Sequence, residues 1–225
     1  MSIPGLPMVV HDPALPDEVT IWEVGGRDGL QNELAIVSTE AKVEFLDRLA
    51  QAGLPIVEAT SFVRPDRVPQ LADAAEVMAA LPRRPGTRYP VLVPNVRGLE
   101  SAIEARVTDV AVFASATETF AHRNLNRSYD EQWEMFEPVV ERANAEGLRV
   151  RGYLSMCFGD PWEGAVAPEQ VVASVRRLID MGCAEVSLGD TIGVGTPAQV
   201  GDLIDRLVDR KSTRLNSSHA NISYA

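Results

Sequence analysis

Short β-branched apolar runs alternate along this chain with longer segments whose apolar residues recur every three or four positions. The first kind of run predicts strands and the second predicts helices. TIWEVG (20–25) opens the series as a strand. Thr39 to Ala52 then carries Val43, Leu46, Leu49 and Ala50 at helical spacing, with Ser38 or Thr39 as N-cap and Gly53 as the stop. PIVEATSF (55–62) is the next strand, and the Ala-rich stretch 69–82 a helix ended by Pro82. YPVLVP (89–94) precedes a short helix from Leu99 to Ala105. DVAVFAS (109–115) precedes a helix from Tyr129 to Glu146, with TFAHRNLNRS as a polar loop between them. LRVRGYLS (148–155) precedes a helix from Pro168 to Met181, and AEVSLGD (184–190) one from Pro197 to Arg210, its proline suited to the first turn.

Six strand–helix units result. Such alternation implies an α/β protein with a parallel sheet. Two architectures compete, an open doubly wound sheet and a (β/α)8 barrel. A barrel typically takes about 250 residues, and six units stop short of eight. Residues 1–17 read as a Pro-rich lead-in to a domain over 18–210. Residues 211–225, KSTRLNSSHANISYA, break the pattern: they are rich in Ser and Asn and hold no Asp or Glu. They read either as a translated adapter sequence behind a truncated frame or as a disordered natural tail, with neither strand nor helix expected.

Composition narrows the function. No apolar stretch approaches the roughly 20 residues needed to span a bilayer. The N-terminus lacks the basic region of a secretory signal, so a cytoplasmic location is expected. A net charge of −11 argues against nucleic acid and anionic membrane as partners. Cys157 and Cys183 form no C-x-x-C, so buried apolar packing in a reducing compartment is expected rather than zinc or a disulfide. His11, His122 and His219 are isolated and read as solvated.

In parallel α/β folds, reactive groups collect at the C-terminal ends of strands. Here those ends carry Arg27-Asp28, Glu58, Asn95, Arg151 with Tyr153, and Ser187 with Asp190 and Thr191. Adjacent residues of an extended chain point apart, so Asp28 could face a metal as a hard oxygen ligand while Arg27 meets a developing enolate oxygen. A plain surface turn is the alternative. Glu58 lies in an apolar strand and needs a partner, for which Arg27 is a candidate; a salt-bridged structural Glu is the other reading. GVGTPA (193–198) matches a dinucleotide fingerprint only weakly, because it follows the sixth strand rather than the first. An anion-accepting turn at a helix N-terminus is the other use of that segment.

Taken together, TIWEVGGRDGLQNE, PIVEATSFV, YPVLVPN, VRGYLS and VSLGDTIGVGTP resemble, in order and spacing, the hydroxymethylglutaryl-CoA lyases over about residues 18–208. The wider superfamily includes the isopropylmalate, homocitrate and citramalate synthases, which share the R-D-G-x-Q core. The resemblance implies a (β/α)8 barrel, of which this chain would carry about six units. It implies a reverse Claisen cleavage of hydroxymethylglutaryl-CoA to acetyl-CoA and acetoacetate, with Mg²⁺ or Mn²⁺. It makes Asp28 the metal ligand and Arg27, Glu58 and Asp190 catalytic, Asp190 handling the substrate hydroxyl proton. Gln31, Ser61, Asn124, Tyr153, Ser187 and Thr191 become pocket residues. An acyl-CoA substrate and a homodimer or larger homo-oligomer follow for the full-length parent. The alternatives are a condensing synthase of the same superfamily and a non-catalytic binding protein.

Gly26 stands where most such sequences have proline, a mild loosening of the turn. The H-x-H metal pair, a later Asn ligand and the catalytic Cys of those enzymes have no counterpart in this sequence, so the 225-residue chain is expected to be inactive or nearly so.

Overall fold

A computed structural model describes residues 18–208 and 220–223. The lead-in 1–17 with His11, residues 209–210 at the expected end of the last helix, and 211–219 with His219 lie outside the described residues. Ten strands are described: β1 Trp22–Glu23, β2 Ile56–Val57, β3 Thr60–Ser61, β4 Val91–Leu92, β5 Asp109–Ser115, β6 Arg149–Ser155, β7 Gly159–Asp160, β8 Gly164–Ala165, β9 Glu185–Gly189 and β10 Ala220–Ser223. The α-helices are α1 Thr39–Gln51, α2 Ala74–Ala80, α3 Val96–Glu104, α4 Glu118–Leu125, α5 Tyr129–Ala145, α6 Pro168–Met181 and α7 Pro197–Leu207.

The winding decides between the two architectures. β1 pairs in parallel with β2, and the order β3-β4-β5-β6-β9-β10 continues the same progression in parallel. β2 and β3 are successive pieces of one chain run, and with them taken as one each strand lies beside its predecessor in the chain, apart from the small antiparallel β7–β8 hairpin. A doubly wound sheet reverses its order at a switch point. No reversal occurs among the described strands, so the winding is that of a barrel.

Local chemistry accounts for the helix boundaries. Ser38 caps α1 by accepting the Ala41 N–H, and α1 ends two residues before Gly53. Ser128 with Glu131, and Thr196 with Gln199, form reciprocal capping boxes at the starts of α5 and α7. Gly182 closes α6 at φ +110°, a backbone state that side chains resist. Val110, Val112, Val150, Leu154, Val186 and Leu188 alternate along β5, β6 and β9 and pack with Trp133, Phe136, Val139 and Leu178 of the helices in one core. Phe136 is wholly buried, and truncating it to alanine would cost about 3–5 kcal/mol. The alternate positions Arg151, Tyr153, Glu185 and Ser187 therefore face the barrel interior.

Several expectations need correction. The strand expected over 20–25 shortens to two residues, because the chain coils at Gly25. The helix expected from Leu99 begins at Val96, where the Asn95 side chain accepts the Gly98 N–H as an N-cap. The polar loop after β5 contains α4, carried by its acidic first turn and its His122 and Arg123 in the last turn. His122 lies on α4, paired with Glu118 at 2.8 Å and largely exposed. Within 211–225, where no strand was expected, Ala220–Ser223 pairs in parallel with β9. β9 would otherwise present a row of unpaired backbone groups, and any short extended segment can satisfy it.

Candidate active site

The site begins where β1 ends. Residues Gly25–Gly29 form one π-type turn in which the N–H groups of Arg27, Asp28 and Gly29 converge on the Val24 carbonyl at 3.1, 2.7 and 3.4 Å. The Glu23 carboxylate accepts the Gly25 N–H at 2.6 Å and holds the entry to the turn. The backbone here is coiled, not extended, so the side chains of Arg27 and Asp28 do not point apart. Arg27 Nη1 donates to Asp28 Oδ1 at 2.6 Å. Gly26 is the buried residue of this turn. A Cβ there would lie 2.4 Å from Leu46 Cδ2 and 3.0 Å from the Glu58 carbonyl oxygen, so its bare Cα lets the turn press against α1.

Glu58 sits in the break between β2 and β3. Its N–H donates to the Glu23 carbonyl at 2.8 Å, which extends the β1–β2 pairing and aims the side chain inward. The carboxylate is fully buried and satisfied at both oxygens. Oε1 accepts from Arg27 Nε at 2.5 Å; Oε2 accepts from Trp22 Nε1 at 3.1 Å and from the Tyr153 hydroxyl. Tyr153 comes from β6, so this contact crosses the barrel. An isolated buried carboxylate is very costly, and three donors offset that cost.

This geometry fixes protonation states. Burial alone would lower the Arg27 pKa, but the charges of Glu58 and Asp28 outweigh it and hold it above the ordinary guanidinium value. Tyr153 is raised well above an ordinary phenol, first by burial and then by the Glu58 charge, so it stays protonated and donating. The cluster therefore presents a permanent cation at the mouth of the barrel, locked from behind by Glu58.

Arg27, Asp28, Glu58 and Tyr153 thus form one contact network. Ser187 is buried and in register with Tyr153 on the adjacent strand. Ser61, three residues after Glu58, is buried and donates to the Leu92 carbonyl at 3.3 Å. Gln31 follows the π-type turn and is half-buried. Asn124 is exposed on α4, outside the network. Asp190 is buried, but its two oxygens accept the N–H groups of Val194 and Gly195 at 3.0 and 2.9 Å. This carboxylate fills the turn of GVGTPA, the segment read as a weak dinucleotide or anion site. Thr191 Oγ1 accepts the Met156 N–H at 2.9 Å and ties the same loop to the end of β6. Cys157 and Cys183 are buried free thiols, each pushed up to about 12, chiefly by burial.

Trp22 and Glu23 belong to the site although sequence reasoning did not single them out. The signal was present: an acid two residues before a glycine turn, and an indole N–H in a half-buried strand that must find an acceptor. A divalent ion fits only in part. Asp28, its side chain one-third exposed at the mouth, is a suitable hard oxygen donor. Among the described residues, however, no group of three His, Cys, Asp or Glu side chains could hold a metal ion.

A family model described as HMGL-like matches residues 18–222. The mitochondrial hydroxymethylglutaryl-CoA lyase of Bos taurus is 46% identical over 209 residues, covering 93% of this chain and 64% of its own length. The cytoplasmic 3-hydroxy-3-methylglutaryl-CoA lyase of Danio rerio is 47% identical over 212 residues, covering 94% of this chain and 63% of its own length. The crystal structure of hydroxymethylglutaryl-CoA lyase from Pseudomonas aeruginosa matches with a TM-score of 0.86 at 45% identity, over 93% of this chain and 69% of that one. This chain therefore spans a little under two thirds of the length of those two curated relatives.

Proposed function

This chain belongs to the HMGL-like family, and we propose that the full-length natural protein cleaves hydroxymethylglutaryl-CoA to acetyl-CoA and acetoacetate. The observation that carries this reading is the Arg27 guanidinium, held at the C-terminal mouth of the barrel by Glu58 and Asp28. Carbon–carbon cleavage next to a thioester leaves negative charge on the thioester oxygen. A fixed cation with N–H donors, already oriented and partly shielded from water, is what that charge requires.

The chain's own groups take distinct parts. Arg27 donates to the developing oxyanion. Glu58 does not move a proton while it is saturated by three donors; it orients Arg27. Tyr153 and Trp22 keep the Glu58 carboxylate in place. Asp28 would contribute one oxygen to Mg²⁺ or Mn²⁺, an ion that would polarise the substrate hydroxyl and carbonyl as a Lewis acid. The described residues do not complete that ion's ligand set, so no step is derived through it. Asp190, saturated by two backbone donors, shapes the loop over the mouth; handling the hydroxyl proton would require it to leave them.

No described helix is long and apolar enough to cross a membrane. A cytoplasmic setting, an acyl-CoA substrate and assembly into a homo-oligomer complete the reading. The test is acetoacetate release from hydroxymethylglutaryl-CoA by the full-length natural protein with Mg²⁺ or Mn²⁺. Release that Arg27→Gln lowers by about two to three orders of magnitude supports it. Condensation of acetyl-CoA with a 2-keto acid, without cleavage, would assign the synthase reaction instead.

A further inference from the structure

Arg151 lies in β6 beneath this cluster, almost wholly buried, although no step above uses it. Its guanidinium carbon stands 3.9 Å from the centroid of the Trp22 ring and 5.1 Å from that of Tyr153. Glu185, its register partner on β9, lies 3.7 Å from Nη1. Trp22 and Tyr153 are the two residues that donate to Glu58 Oε2. One planar cation therefore touches both donors of one acceptor.

We infer that Arg151 is a positioning residue that sets Trp22 and Tyr153 against Glu58 and, through Glu58, aims Arg27. The physical case is stacking. A guanidinium is flat, stays charged and binds aromatic faces, whereas a lysine ammonium is a compact point charge. Arg151 lies two residues before Tyr153 on the same face of β6, so one strand delivers both the ring and its support. Removing Arg151 would leave Trp22 with only the more distant Arg88 guanidinium, 5.6 Å from its centroid, and Tyr153 with only that of Arg27 at 5.7 Å, below a carboxylate that depends on their N–H and O–H. The link to chemistry rests on the reading of Arg27 given above. The link to Trp22 does not.

The test follows the indole N–H groups of the 225-residue chain labelled with ¹⁵N-tryptophan. The chain has three tryptophans, assigned by single Trp→Phe variants. In wild type the Trp22 signal is expected downfield and slow to exchange. Arg151→Met is expected to speed its exchange about tenfold, and Arg151→Lys about threefold, since lysine keeps the charge without the flat face. Buried Trp133 is the control and is expected to stay unchanged. If Arg151→Met does not fold, Arg151→Lys against wild type decides. Unaltered Trp22 exchange in a folded variant, or equal changes at Trp22 and Trp133, overturns the inference. This readout needs no turnover, so its failure is distinguishable from failure of the cleavage assay.

Discussion

Replacing Glu58 by glutamine removes one charge and almost no volume, and so isolates what the carboxylate does. Glu58 is fully buried and accepts from Arg27, Trp22 and Tyr153. Glutamine keeps one acceptor and sets an NH₂ against at least one of those donors. Breaking one side of a buried ion pair costs about 3–5 kcal/mol. Arg27 keeps its 2.6 Å contact with Asp28, which favours the low end, about 3 kcal/mol. In a domain of this size each kcal/mol moves Tm by about 2–4 °C, so a drop of about 6–12 °C is expected. The assay is thermal unfolding of the 225-residue chain by circular dichroism at pH 7, completed as a cycle with Arg27→Gln and the double variant. The double variant is expected to lose less than the sum of the singles, by at least about 1 kcal/mol. A Tm shift under about 2 °C for Glu58→Gln, or additive costs, would refute the view of Glu58 as the buried anchor of Arg27.

Asp190→Asn weakens two backbone bonds to a carboxylate and is expected to cost about 1.5–3 kcal/mol, with faster amide exchange at Val194 and Gly195; unchanged exchange would remove Asp190 from its loop-holding role. Burial raises the carboxyl of Asp160, but donors from Thr117, Trp162 and Glu163 outweigh it and hold the pKa below the usual range. Its contribution is therefore present above the unfolded pKa, about 4, and lost as pH falls through the folded value. Asp160→Asn should thus differ from wild type in urea unfolding at pH 7 and converge with it in acid. Cys157 and Cys183, buried with thiol pKa values near 12, are expected to resist a disulfide reagent at pH 8 until the chain is unfolded, whereas rapid native labelling would contradict their burial.

Much of the fold was legible because it rests on local signals. β5 and α6 occur at the residues expected from β-branched alternation and from a proline-to-glycine helical span. Periodicity could not separate barrel from open sheet, since both are built from the same units. That choice lies in strand order, a property of pairings far apart in the chain. α4 was hidden because its eight residues carry only Phe120, Ala121 and Leu125 as apolar positions, too short a span for a helical period to stand out among Glu, Thr, His, Arg and Asn. The pairing of Arg27 with Glu58 was open to chemical reasoning, because a strand carboxylate needs a partner. The contact with Tyr153 was not, since it joins residues 95 positions apart. Adjacency misled at Arg27-Asp28, where the doublet Gly25-Gly26 coils a backbone expected to be extended. The saturation of Asp190 by its own loop was likewise invisible, because an acid ahead of a glycine-rich turn can face outward or fold back onto its amides.

The most direct measurement is acetoacetate formed from hydroxymethylglutaryl-CoA by the full-length natural protein, wild type against Arg27→Gln, with the fold of each checked by thermal melting. Cleavage by the wild type, lowered about two to three orders of magnitude in a variant that still folds, is the expected result. Cleavage that persists undiminished without the Arg27 guanidinium, or no cleavage by the wild type with Mg²⁺ or Mn²⁺, would contradict the assignment of the barrel mouth as a lyase site.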